Sequence, residues 1–264
     1  MNESAVEAWM AEAVRQRARA FADQLRACAH GGIPVPNLEW TVADLGQHVA
    51  CLPAFWEDQH AHGADFQRPD DFAACSDAAR AHITETEPNH LAAQIERELD
   101  DYLELLAAGD GQRWLYGVPT TASNMCGLAL NELVLHGRDL AAVTGADKPT
   151  FERREANLAV DASMVTTAFF VDEAKARARP DGIYHLRFRG GHHYTWTKRG
   201  GELVVEQGRP ERADAHLNAD PAVFLMTALG RYGQIRAALT GGMLAYGRRP
   251  WRFFGLGTVM SDGV

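Results

Sequence analysis

Residues 39–52, EWTVADLGQHVACL, place His48 in the middle of what otherwise reads as the apolar stripe of a helix. Thr41 followed three residues later by Asp44 is a capping signal, so the helix is expected to begin near Val42. From there Leu45, His48, Leu52 and Phe55 recur at spacings of three and four, which is one face of a helix. A histidine on that face has two readings. It is a core residue hydrogen-bonded to a neighbour, or it is a metal ligand, because neutral imidazole binds metals and a buried ring needs a polar partner in either case.

The same periodicity extends on both sides of this helix. A first helix is expected from about Ser4 to Ala29, stopped by His30-Gly31-Gly32. A polar, loop-rich passage, residues 60–77, precedes a third helix in NHLAAQIERELDDYLELLAAG, residues 89–109, where Leu91, Ile95, Leu99, Tyr102 and Leu106 form an apolar stripe. The fourth is SNMCGLALNELVLHGRDLAAVTG, residues 123–145, with a serine start and a stop at Gly145. Helices of this length in sequence form a bundle.

Beyond residue 150 the pattern changes. A connecting helix is expected over about 151–177, and the turn Arg179-Pro180-Asp181-Gly182 then opens short aromatic and β-branched runs closed by glycine: GIYHLRFRGG, HHYTWTKRGG and ELVVEQG. Their spacing predicts an antiparallel meander. ADAHLNADPAVFLMTALG reads as a strand turning into a helix at Asp220-Pro221, and QIRAALTGGMLAYG as a short helix and one more strand. The expected fold is therefore α+β with two domains, a four-helix bundle over 1–150 and a small α/β domain with an antiparallel sheet over 151–264.

Composition narrows the function. The 264 residues include 26 Lys and Arg against 35 Asp and Glu, a net charge of -9, which argues against a nucleic-acid or anionic-membrane surface. No apolar run approaches the roughly 18 residues that cross a bilayer. The amino-terminal segment is amphipathic and mixed in charge, unlike a signal peptide, so a cytoplasmic protein is expected. Cys28, Cys51, Cys75 and Cys126 contain no C-x-x-C pair and read as reduced thiols. Nucleophile-elbow, P-loop and dinucleotide-binding motifs are all missing.

Glu132 and His136 in NELVLHG are neighbours on one helical face, four residues apart. They are either a solvated pair or part of a polar pocket inside the bundle. With His48 they would make a two-histidine, one-carboxylate ligand set for zinc or another divalent first-row metal, leaving a position open for water or substrate. Cys51, one turn beyond His48, is either a fourth ligand or a small core residue. His192 and His193, beside a glycine turn, read as surface residues, and His60 and His62 as cations at a helix end.

LEWTVADLGQHVA (38–50) followed by NELVLHGRDLA (131–141) resembles the DinB-like metal-binding helical bundle of the mycothiol-dependent maleylpyruvate isomerase family. The second half, in ADAHLNADPAVFLMTALGR and AALTGGMLAYG, resembles the small domain that these proteins carry, itself similar to sterol carrier proteins. The resemblance implies a zinc site at His48, Glu132 and His136. It also implies a low-molecular-weight thiol as cofactor, with mycothiol the family's own and ergothioneine and bacillithiol as other candidates. The expected activity is that of a thiol-dependent isomerase or S-transferase acting on a small electrophile such as maleylpyruvate, with small molecules as its partners. An arginine from the second domain is implied for the substrate carboxylate, and Arg231 is the choice, ahead of Arg248 and Arg249. The competing reading is a non-catalytic small-molecule or lipid-binding protein with a structural metal site. Tyr184, Phe188, Tyr194, Trp196, Phe224, Trp251, Phe253 and Phe254 would then line its cavity.

Overall fold

The structure is a computed structural model that describes residues 6–66, 77–109 and 111–260. Ser4 and Cys75, and the side chain of Phe254, lie outside the described residues. The chain divides into two compact units, Met1–Phe151 and Glu152–Val264.

Helices α1 (Ala8–Arg26), α2 (Val42–His62), α3 (Pro88–Ala108) and α4 (Ala122–Thr144) build the first unit. α1 packs on α3 and α4, and α2 packs on α3. The stripe expected on α3 is the buried one, with Leu91, Ile95, Leu99, Tyr102 and Leu106 all inside, as are Phe21 and Leu25 of α1 and Leu45 of α2. Each such side chain contributes about 2 kcal/mol by leaving water. The helix ends follow local chemistry. Thr41 and Asp44 close a capping box on α2, and Gly145 stops α4 in the left-handed conformation, φ 73°.

Two features of this unit depart from the sequence reading. α4 is capped by Thr121, whose hydroxyl accepts from the Asn124 N–H at 3.1 Å, and Ser123 lies inside the helix. Ahead of it, β1 (Gln112–Leu115) and β2 (Val118–Thr121) form an antiparallel hairpin around Tyr116 and Gly117, whose φ values are 53° and 74°. Two consecutive left-handed residues make the tight turn that matches strand twist.

The second unit begins with α5 (Arg153–Thr166). The connecting helix expected through residue 177 is interrupted. Thr166 and Thr167 both turn their hydroxyls back to the Ser163 carbonyl, a 3-10 turn follows over Thr167–Phe170, and Asp172 caps the separate helix α6 (Glu173–Arg177). The sheet contains β3 (Gly182–Phe188), β4 (His193–Arg199), β5 (Glu202–Gln207), β6 (Ala215–Ala219) and β7 (Met243–Tyr246), in the order β5-β4-β3-β6-β7. The meander β3-β4-β5 is antiparallel, as is β6-β7, but β6 joins β3 in parallel. Asp220 caps α7 (Pro221–Ala228) through the N–H groups of Ala222 and Val223, and α8 (Gln234–Leu239) and α9 (Phe253–Leu256) complete the unit.

One sheet face meets the helices. Phe188 lies edge-on to Phe224 of α7, Tyr184 to Phe253 of α9, and Trp196 Nε1 donates to Met164 Sδ of α5. Strand alternation sends His185, Arg187, His193 and Thr195 to the opposite face. Among the described residues no helix is long and apolar enough to cross a membrane.

Candidate metal centre

The capping box sets where the α2 helix starts, and therefore where His48 points. Asp44 Oδ2 accepts from Thr41 N at 2.8 Å and from the Thr41 hydroxyl at 2.7 Å, while Thr41 Oγ1 accepts from Asp44 N. His48 follows one turn after Asp44, on the side that faces α4 rather than solvent, and its side chain is 12% exposed. On α4 the four-residue spacing brings Glu132 and His136 to the same place.

The three side chains converge. His48 Nε2 lies 3.4 Å and His136 Nε2 3.2 Å from the same oxygen, Glu132 Oε2. One ligand atom from each of the three residues falls within 4.8 Å of the others. The imidazoles meet edge to face at 4.9 Å, and Trp40 lies against both, at 5.0 Å from His48 and 6.0 Å from His136. Over Trp40, at 5.3 Å, sits the guanidinium of Arg80, which also bonds Asp44 and Asp77.

Behind His136, Asp139 Oδ2 is 3.1 Å from Nδ1. A carboxylate there holds a proton on Nδ1 and turns Nε2 toward Glu132. Among the described residues His48 has no such support, its buried Nδ1 being without a hydrogen-bond partner. Cys51 directs its thiol to the His48 carbonyl at 3.1 Å, so it behaves as a core residue.

Electrostatics favour positive charge at the centre of the cluster. Burial pushes Glu132 up, but hydrogen bonds with His136 and His48 outweigh it and hold the carboxyl well below the usual carboxylate range. Burial likewise pulls His136 down, yet Asp139 and Glu132 raise it above a free imidazole. His48, where burial dominates, is lowered. Two imidazole nitrogens and an ionised carboxylate, facing one another in a largely buried pocket, are a donor set that fits a divalent first-row metal.

Arg231 belongs to the other unit, in the turn after α7, where its N–H bonds Met226 O at 2.8 Å and its guanidinium bonds Leu229 O at 3.0 Å. Arg248 and Arg249 are exposed, and Arg249 lies 3.6 Å from Asp214. His60, in the last turn of α2, accepts at Nδ1 from Trp114 N of β1 at 3.3 Å, where the hairpin packs against that helix. His62 bonds Asp58 O at 2.8 Å. Arg80 is the neighbour of the cluster that no spacing signals, whereas Asp139 was legible as the residue three after His136.

Residues 11–141 match the family model described as the mycothiol maleylpyruvate isomerase N-terminal domain. That segment belongs to this domain family. Within the mycothiol maleylpyruvate isomerase family match lie all three clustered residues together with Trp40, Arg80 and Asp139. No curated protein matches the chain. Among solved structures it is similar to a mycothiol-dependent maleylpyruvate isomerase, at 16% identity and a TM-score of 0.48, over 89% of this chain and 91% of that one. A histidine-to-alanine mutant of that enzyme gives 16% and 0.47 over the same shares. The inverting sec-alkylsulfatase Pisa1 from Pseudomonas sp. is similar at 16% identity and a TM-score of 0.34, over 91% of this chain and 33% of that one.

Proposed function

We propose that the chain is a metal-dependent enzyme using a low-molecular-weight thiol to isomerise, or to conjugate, a small carboxylate-bearing electrophile such as maleylpyruvate. The observation that carries this reading is the convergence of His48, Glu132 and His136 on one point inside the bundle. These three residues would hold zinc or another divalent first-row ion. When bound, such an ion lowers the pKa of a thiol, mycothiol by the family's name or ergothioneine or bacillithiol, and so supplies a thiolate nucleophile near neutral pH.

The chain's own residues do the rest. Asp139 orients His136, and Glu132 supplies negative charge between the two imidazoles. Trp40, held from outside by Arg80, keeps water from one side of both rings. With Cys51 turned to the His48 carbonyl, His48, Glu132 and His136 would be the protein ligands, and three ligands would leave room for a small molecule. Arg231 is our candidate for the substrate carboxylate, and a cytoplasmic location belongs to the same proposal.

Elemental analysis of the purified protein beside His136→Ala tests the centre. About one divalent ion per chain, lost in the variant, supports it, and thiol-dependent consumption of maleylpyruvate supports the activity. A folded protein that takes up no metal on reloading refutes both. For Arg231→Ala the expectation is weaker substrate use at unchanged metal content.

A second reading, a binding protein for an apolar molecule with a structural metal, is favoured by one observation in the second unit. A cavity of about 970 Å³ there is lined by Trp196, Phe224, Trp251 and Phe253, with Lys175 as the charged residue of its wall. Tyr184, Phe188 and Tyr194 are buried but not part of that lining. Lipid co-purifying with a protein that shows no thiol-dependent turnover would select this reading.

A further inference from the structure

The sheet face turned away from the helices carries a feature unrelated to the metal centre. Register places His185 of β3 opposite His216 of β6, with His193 on β4 beside them. His185 Nε2 is 2.9 Å from His193 Nδ1, and His185 Nδ1 is 3.0 Å from His216 Nδ1. At one end of the row, His193 Nε2 is 3.0 Å from Arg209 Nη2. At the other, His216 stacks on Tyr246 of β7 with ring centroids 5.0 Å apart. His185, in the middle, is 8% exposed.

Each of these bonds needs one N–H and one lone pair, and a guanidinium only donates. Arg209 therefore makes His193 Nε2 an acceptor, which puts the His193 proton on Nδ1. That proton points at His185 Nε2, so His185 carries its own proton on Nδ1. His216 Nδ1 must then accept, and its proton sits on Nε2. One arginine fixes the tautomer of three rings across three strands.

We propose that this row of imidazoles is a proton-operated latch joining β4, β3 and β6, closed while all three rings are neutral and opened when any one of them takes a second proton. An imidazolium has two N–H groups and no lone pair. On His193 the added proton would face the Arg209 guanidinium, on His185 the His193 N–H, and on His216 the His185 N–H. Every placement sets donor against donor. The charged and titratable groups facing the row are Arg187 on β3, Arg209 beyond β5, His192 beside His193, and Tyr246 on β7, with Glu206 of β5 across from Thr195. Among the described residues no carboxylate bonds any of the three rings to offset an added charge. Burial, then His193 and His216, depress His185 to about 4, and burial and Arg209 lower His193 as well.

Long-range ¹H–¹⁵N spectra of the full chain labelled in histidine, assigned with His→Gln variants, test the latch. At pH 7.5 the expected protons are on Nδ1 of His185 and His193 and on Nε2 of His216; a proton on Nε2 of His185 or His193 overturns it. On acidification the three signals should change in one step, together with a loss of amide protection in β6. Separate titrations with β6 unchanged would refute a latch. Arg209→Met, an exposed position, should convert the single tautomers of His193 and His185 into mixtures and move His193 protonation to higher pH. Unaltered tautomers in that variant would show that Arg209 does not set the row.

Discussion

Asp139 and His136 are bonded from the side of the ring away from the cluster: Oδ2 meets Nδ1 at 3.1 Å, while Nε2 lies 3.2 Å from Glu132. Among the described residues His48 Nδ1 has no hydrogen-bond partner, so of the two rings that share Glu132 it is His136 that a second carboxylate holds from behind. Asp139→Asn should therefore lower metal affinity by about 10- to 100-fold while the bundle stays folded. Competition with a chromophoric chelator measures this directly, and an unchanged affinity would separate Asp139 from the centre.

Thr41→Ala removes the hydroxyl that accepts from Asp44 N at 3.2 Å. The expected cost is about 1 kcal/mol in urea unfolding, typical of a lost helix cap. Helix α2 would fray at the end that carries Trp40, so the variant should also weaken metal binding.

At the hairpin, Gly117 has φ 74°, and a Cβ there would come within 3.3 Å of the Phe66 carbonyl oxygen. Gly117→Ala should destabilise the first unit by about 1 to 2 kcal/mol, the usual strain of a left-handed alanine. Denaturant titration reads it; a neutral result would mean that the turn adopts another form.

Burial pushes the Cys126 thiol up to about 12, and the residue is 0% exposed. In the native protein it should resist thiol reagents at pH 8 and react only on unfolding. Mass spectrometry of alkylated peptides distinguishes the cysteines, and rapid native labelling of Cys126 would contradict the packing of α4.

His185 contributes a pH dependence of defined sign. Its folded value of about 4 lies below the ordinary 6.5, so the unfolded chain binds more protons between those limits. The stability it supports is complete above pH 6.5 and falls as the pH drops toward 4. Thermal unfolding of the second unit should show that fall, and His185→Asn should flatten it.

Local signals and nonlocal pairings differed in how legible they were. The α2 start, the buried stripe of α3 and the Gly145 stop are written in residues three or four apart, and each forms as read. The Glu132–His136 pair was visible for the same reason, while its meeting with His48 needed two helices to pack. The β1–β2 hairpin escaped because its strands are four residues each and one contains Pro119. The parallel β3–β6 pairing and the histidine row depend on residues 31 apart, which no periodicity announces. His193, read as a surface residue from its glycine neighbours, is drawn into that row by strand register.

The parallel pairing bears on how the chain is made. β3 leaves the ribosome with β4 and β5 close behind, able to pair at once, but its other edge waits for β6, whose His216 follows His185 by 31 residues. Until then a strand with four buried residues presents unpaired backbone to its surroundings, a template for mispairing with another chain. Nascent chains truncated between residues 208 and 215 should therefore be the aggregation-prone length, and Arg187 on that strand is a charge placed where it discourages such pairing.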